Sequence, residues 1–279
     1  MNMNQRWIQR IFCYFLVLLG CLNAGIALAV AADAESDQKL LLTIHDARLE
    51  SYLLLTDYYN FSANIGDKEL LASIREGQSQ MEKLISALAI AHDSPDYLAA
   101  VTKLREDWLS FQDLLNQNMN DLESLGYHEL QLVSQLAQVN VDVGLQLERM
   151  YQLVMDQRKV RPAETVAKSR QSAFTMALMM TKYAARSTSN ISQVFQGEDP
   201  DQTLDMLAKD FDRELQQLVT TRYPDPATNK LLEKAQIKWN FIRSSYLNYN
   251  ENNVNFVVNR YSRQIIESLG VTDNVMEKS

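Results

Sequence analysis

Hydrophobic residues recur at spacings of three and four along most of the chain, a pattern typical of amphipathic helices. All five prolines and three of the eight glycines, Gly66, Gly126 and Gly197, fall at breaks in this pattern. No segment shows the alternation of apolar and polar residues, bounded by turn residues, that predicts a β-strand. The fold class is therefore predicted to be all-α, with antiparallel helical bundles of the four-helix type. The predicted helices cover residues 35–63, 67–91, 96–124, 127–158, 163–195, 201–221 and 227–269, the last with a break near 248–253.

Two parts of the chain repeat each other about 131 residues apart. The segments 103–111 (KLREDWLSF) and 234–242 (KAQIKWNFI) each place a tryptophan five residues after a lysine. A proline-containing loop precedes each of them, at 92–96 and at 223–227. A repeat at this distance indicates two related helical modules rather than a solenoid of short units. The predicted division is module 1 over 35–160, module 2 over 161–270 and a C-terminal tail over 271–279.

The first 31 residues (1–31) have the composition of an export signal. Two arginines and no acid precede an apolar run over 11–22, and small residues follow it up to Ala31. Cleavage after Ala31 predicts a periplasmic protein. The alternatives are an uncleaved membrane anchor, since the apolar segment is long enough to span a bilayer, and a lipidated Cys21. Both cysteines, Cys13 and Cys21, lie in this segment, so no disulfide or thiolate metal site is predicted beyond it.

The net charge and the motifs that the chain lacks reduce the number of function classes that the sequence predicts. The formal net charge is −8, which repels the phosphates of nucleic acid, so no nucleic-acid partner is predicted. The chain lacks a nucleophile elbow, a glycine-rich phosphate loop and an H-E-x-x-H motif. We therefore predict a protein that is not an enzyme and that has no cofactor and no metal site.

One arginine stands out in the first predicted helix. At about 100° per residue, Arg48 lies in the middle of an apolar stripe, and no acid lies three or four residues away to pair with it. A guanidinium there needs a partner from another helix, from a second subunit or from a bound anion. The apolar residues of this stripe are Leu41, Ile44, Tyr52, Leu55 and Tyr59.

The stretch around Arg48 resembles a known motif. Residues 47–55, ARLESYLLL, are similar to the P-box of NarX-like nitrate/nitrite sensor kinases, whose pattern is Leu-Arg-Met-Gln-Ser-Tyr-Arg-Leu. Leu53 replaces the second arginine of that pattern. The positions that match in register are Arg48, Ser51, Tyr52 and Leu54.

Most of residues 40–260 also resembles the PilJ-type N-terminal domain of type IV pilus chemotaxis transducers. Its Arg-Gln-Arg-Met-Leu-Ser-Gln-Arg motif is echoed by RQSAFTMAL at 170–178, where Arg170 and Gln171 are retained. In the nitrate sensors the first P-box arginine contacts the anion at a dimer interface. The resemblance therefore implies a homodimer and an anion-binding role for Arg48 and, more weakly, for Arg170. The candidate ligand-binding residues are His45, Arg48, Ser51, Tyr52, Arg170 and Gln171.

Two functions are expected from these observations. The first is a periplasmic sensory or ligand-binding module without a signalling domain of its own, which binds a small anion and acts through a membrane receptor or kinase. The second is a non-catalytic scaffold of the envelope, associated with type IV pili through the resemblance alone. The first predicts a polar cleft around Arg48. The second predicts that Arg48 pairs with a carboxylate and that apolar side chains lie on an exposed helix face.

Overall fold

A computed structural model describes residues 35–187, 202–249 and 254–276, and the predicted leader lies outside these ranges. The described ranges contain helices and short loops and no strand, which confirms the all-α fold class. None of the helices in these ranges is both long and apolar enough to cross a membrane. The helices are α1 (35–63), α2 (Lys68–Ala89), α3 (Pro95–Leu125), α4 (Leu130–Arg158), α5 (Glu164–Ser187), α6 (Leu204–Thr220), α7 (Pro226–Leu247) and α8 (Asn255–Met276).

The predicted repeat appears as matching helix starts in the two halves of the chain. Ser94 caps α3 by accepting a hydrogen bond from a backbone amide, and a proline follows it at the first helical position. Asp225 caps α7 in the same way, again with a proline next. Short polar caps satisfy amides that lack a partner inside the helix, and proline has no amide to satisfy there. Trp108 and Trp239 each lie thirteen residues after these prolines.

The end of the chain agrees with the prediction in one respect and differs in another. The break expected near 248–253 in the helix predicted over 227–269 is confirmed, because α7 ends at Leu247 and α8 begins at Asn255. Residues 271–276 belong to α8 rather than to a tail, and Thr272 and Asp273 are buried. The predicted extension of α5 over 188–195 lies outside the described residues.

Two helices, α1 and α5, lie at the centre of the molecule. Residues 54–62 of α1 and 172–185 of α5 are buried on every side, which is typical of a helix enclosed by others. The two helices meet at a buried pair of hydroxyls, Thr56 and Thr181, 2.9 Å apart. Around them α3 packs on α4, while α5 and α7 each pack on both α6 and α8. The two halves of the chain therefore share one core, and α1 and α5 contribute a buried contact between them.

Candidate functional site

A cavity of about 290 Å³ lies between α1, α4, α5 and the loop that joins α4 to α5. This volume lies at the lower end of the range for ligand pockets, so the cavity suits a small molecule. Four of the candidate residues, from two motifs that are 122 residues apart, line this single cavity: His45, Arg48, Arg170 and Gln171. The wall of the cavity also contains Glu148, Tyr151, Arg161 and Phe174.

Arg48 enters the cavity from α1. Its Nη1 donates a short hydrogen bond to the Glu148 carboxylate on α4. Its guanidinium carbon lies 3.7 Å from the centroid of the Phe174 ring on α5, a cation–π contact. The Arg48 side chain is 13% exposed and that of Glu148 is 37% exposed, so this ion pair lies at the border of the cavity and the solvent.

Arg170 reaches the cavity from α5 and is held more deeply. Its Nε donates to Asp273 Oδ2 on α8 at 2.9 Å, and its Nη1 donates to the Tyr151 hydroxyl at 3.2 Å. The side chains of Arg170 and Asp273 are only 4% and 3% exposed. Breaking such a buried pair would leave an uncompensated charge in the core, which is strongly unfavourable.

The positive charges of Arg48 and Arg170 both act on His45. Burial lowers the pKa of His45 to about 3, and the positive charges of Arg170 and Arg48 contribute further to the lowering. The imidazole is therefore neutral at physiological pH, and it can serve as a hydrogen-bond donor or acceptor on the cavity wall.

The charged side chains of the cavity wall are mostly cationic. Arg48, Arg161 and Arg170 line the cavity, against the single carboxylate of Glu148. Arg161 is bonded to Asp156 and is largely exposed at the rim. Each guanidinium is already paired with a carboxylate, Glu148, Asp156 or Asp273, so an anion in the cavity would share or displace one of these partners to accept hydrogen bonds from the arginines.

Two of the candidate residues are not brought to the cavity. The Ser51 hydroxyl is buried and donates to the backbone carbonyl of Arg48, which fixes the helix rather than a ligand. Tyr52 is buried behind the wall, with its ring in an edge contact with Phe174. These two P-box positions therefore support the wall of the cavity from behind.

Sequence reasoning missed the contribution of α4. Glu148 and Tyr151 lie on a helix 100 residues from the P-box stretch, and no motif in that helix pointed to a site. An apolar stripe interrupted by Arg48 predicted that a partner was needed, but not which acid it would be. The helices α1, α4 and α5 all come from one chain, whereas the resemblance implies an anion site between two copies; a homodimer stays a prediction.

Comparison of the chain with models of known protein families, with curated proteins and with solved structures finds no match. In the described ranges, no group of three or more histidine, cysteine, aspartate or glutamate side chains could hold a metal ion. The function is therefore argued from the cavity and its residues.

Proposed function

We propose that this protein is a periplasmic sensory or ligand-binding module whose cavity between α1, α4 and α5 binds a small anion. One observation carries the proposal: the two arginines that were singled out from separate motifs, Arg48 and Arg170, line the same small cavity. Their side chains come from the two central helices, so a ligand there would touch both halves of the chain. The resemblance to nitrate sensors and to PilJ-type domains supports the same class of function.

The Arg48–Glu148 pair suggests how binding would change the protein. Glu148 is partly exposed and is also bonded to Gln152 on its own helix. An incoming anion would compete with Glu148 for the Arg48 guanidinium, because both offer the same negatively charged oxygens. Release of Glu148 would loosen the link between α1 and α4 while the buried Arg170–Asp273 pair keeps α5 on α8. A ligand that favours one arrangement of α4 over another is what a sensor requires.

A membrane receptor or kinase is the partner we propose for the output. The surface that would transmit the signal is α4, since it carries Glu148 on one face and extends 29 residues along the molecule. A shift of α4 caused by anion binding at Arg48 would alter the surface that any protein docked on this helix contacts.

The proposal is tested by anion titration of protein isolated from cells that express the full chain. We expect nitrate, nitrite or a small organic acid to raise the melting temperature above that in sodium chloride of equal ionic strength, and to give a calorimetric binding signal. Substitution Arg48→Gln should abolish the response, because the cavity then loses the guanidinium whose carboxylate partner, Glu148, also lines it.

A matched control is Arg213→Gln. Arg213 forms an exposed ion pair with Asp210 on α6 and does not line the cavity. This variant should respond to anions as the unmodified protein does. An unchanged melting temperature and no calorimetric signal across all the anions, or an equal response in Arg48→Gln, would contradict the proposal.

The second candidate function, an envelope scaffold associated with type IV pili, is favoured by two observations. Arg48 does pair with a carboxylate, and large apolar side chains are exposed on the outer helices, among them Ile237 and Phe241 on α7. This function predicts that a photo-crosslinker placed at Ile237 captures an envelope protein in cells. It also predicts that Arg48→Gln leaves that capture unchanged.

A further inference from the structure

A second cavity, of about 320 Å³, lies at the opposite side of α1, where it is bordered by α2 and α8. Its wall differs from that of the first cavity because four of its eleven residues are asparagines. The asparagines that line it are Asn60, Asn64, Asn255 and Asn259, and the charged residues are Asp57, Asp67, Glu69 and Arg263.

Two of the asparagines have polar atoms without a partner among the residues that the structure describes. Asn60 is only 4% exposed, and its Oδ1 accepts a hydrogen bond from Asn255 Nδ2 at 2.5 Å, but its own Nδ2 donates to nothing there. The Oδ1 atom of Asn259 is also buried, and it accepts no hydrogen bond in the same ranges. Exchanging the amide oxygen and nitrogen of Asn60 would still leave one of its atoms in need of a partner. Buried amide atoms are normally hydrogen-bonded, so this wall is incomplete without a ligand or water.

The charges of the wall restrict the ligand. Asp57 is bonded to both Arg263 and Ser73, and Asp67 caps α2. With Glu69 the wall carries three carboxylates and one guanidinium, a balance that repels anions. A bare cation is also unsuitable, because it offers no acceptor to the Asn60 amide.

Hydroxyl groups meet both requirements. A hydroxyl can accept from Asn60 Nδ2 and donate to Asn259 Oδ1 without bringing any charge into the cavity. Phe256 adds an apolar surface: it lines the same cavity and is 76% exposed. An exposed aromatic ring beside planar amide groups offers a flat apolar face to the carbon–hydrogen side of a sugar ring, while the amides bond its hydroxyls.

We propose that the cavity between α1, α2 and α8 binds a small neutral polyhydroxylated molecule of the monosaccharide or polyol class. Asn60 and Asn259 bond its hydroxyls and Phe256 covers one face of its ring. This site is separate from the arginine-lined cavity, so it does not depend on the proposed anion binding.

The test uses protein isolated from cells that express the full chain, with D-glucose, D-galactose, N-acetyl-D-glucosamine and myo-inositol as probes. Calorimetry and saturation-transfer NMR should detect at least one of them below about 10 mM, where weak sugar sites are measurable. Phe256→Ala should weaken that binding about tenfold, which is the size expected for the loss of a ring contact. Asn60→Ala should reduce it by a similar factor.

Matched controls are Phe241→Ala and Asn116→Ala, which alter an exposed phenylalanine on α7 and an exposed asparagine on α3 outside the cavity. Both should bind the probe as the unmodified protein does. Because Phe256 is exposed, Phe256→Ala keeps the test decisive even where Asn60→Ala fails to fold. No binding of any of the four probes, or equal binding by Phe256→Ala, would overturn the proposal.

Discussion

Arg48 and Arg170 have comparable positions in the two halves of the chain. Arg48 lies on the first helix of α1–α4 and is bonded to a carboxylate on α4, while Arg170 lies on the first helix of α5–α8 and is bonded to a carboxylate on α8. The environments differ: the pair of Arg170 and Asp273 is enclosed, whereas Glu148 is open to solvent on one side.

This difference assigns different roles to the two pairs. In the enclosed pair, neither charge can be solvated if its partner leaves, so Arg170 and Asp273 must stay together in the folded state. In the other pair, water or a ligand can take the place of the partner of Arg48 at modest cost. One half of the chain therefore has a fixed link between its first and last helices, and the other half has an exchangeable one.

The largest expected effect comes from breaking the enclosed pair. Substitution Asp273→Ala leaves the Arg170 guanidinium buried without its carboxylate. We expect the free energy of unfolding to fall by about 3–5 kcal/mol. Urea denaturation followed by circular dichroism measures the loss, and a fall below about 1 kcal/mol would mean that the pair is solvated after all.

The double substitution Arg170→Met with Asp273→Leu is the control for that result. It removes both charges and keeps apolar volume in the core, so it should be much less destabilising than Asp273→Ala alone. A double variant as unstable as the single one would show that shape, not charge, makes the position sensitive.

The two repeated tryptophans offer the next comparison. Trp239 Nε1 donates to Asp212 Oδ1 at 2.8 Å, whereas Trp108 Nε1 is buried with no partner in the described ranges. We expect Trp239→Phe to lower the free energy of unfolding by about 1–2 kcal/mol more than Trp108→Phe does, because only the first removes a hydrogen bond to a charged acceptor. Parallel urea titrations measure the difference, and equal losses would contradict it.

Much of the fold could be predicted from the sequence. The helices were expected because their apolar residues repeat at three and four and because prolines and glycines mark the breaks between them, as at Pro95 and Pro226. The far end of α8 was missed because Thr272 and Asp273 are polar and read as a tail. Asp273 is buried as the partner of Arg170 on α5, which is a tertiary effect, and the buried Thr272 hydroxyl donates to the Ser268 carbonyl of its own helix.

The candidate site was only half predictable. Local pattern singled out Arg48, since a cation in an apolar stripe requires a partner, and motif resemblance singled out Arg170. That both face one cavity depends on the packing of α1 against α5, which no local pattern encodes. The second cavity was missed for the same reason: the crowding of asparagines near Asn255 was visible, but Asn60 lies 195 residues away.

The pH dependence of stability tests the comparison of the two arginine pairs further, because the charges of both Arg48 and Arg170 act on His45. Its pKa is about 3 in the folded protein and near 6.5 in the unfolded chain, so the unfolded chain binds the extra proton between these values. Stability from this group is complete above pH 6.5 and is lost as the pH falls. From pH 7 to pH 5 the loss should be about 1–2 kcal/mol relative to His45→Gln.

Glu50 changes the pH dependence of stability in the opposite direction to His45. Burial raises its pKa to about 7, so its contribution is complete below pH 4.5 and is lost as the pH rises through 7. Since Glu50 is present in both proteins, it cancels in the difference between wild type and His45→Gln. In urea titrations at several pH values, the free energy of unfolding of the wild type should fall relative to that of His45→Gln as the pH falls; a difference that does not change with pH would contradict the neutral state of His45.

The smallest effect on stability, and the one that separates the two roles most directly, is expected for Glu148→Gln. Its carboxylate is partly exposed, so replacing it should lower the free energy of unfolding by less than about 1 kcal/mol. The same change removes the internal competitor for Arg48, so the affinity for a small anion should rise. Calorimetric titration of nitrate or a small organic acid measures that gain. A loss of stability as large as that of Asp273→Ala, with no gain in affinity, would mean that both arginine pairs are structural.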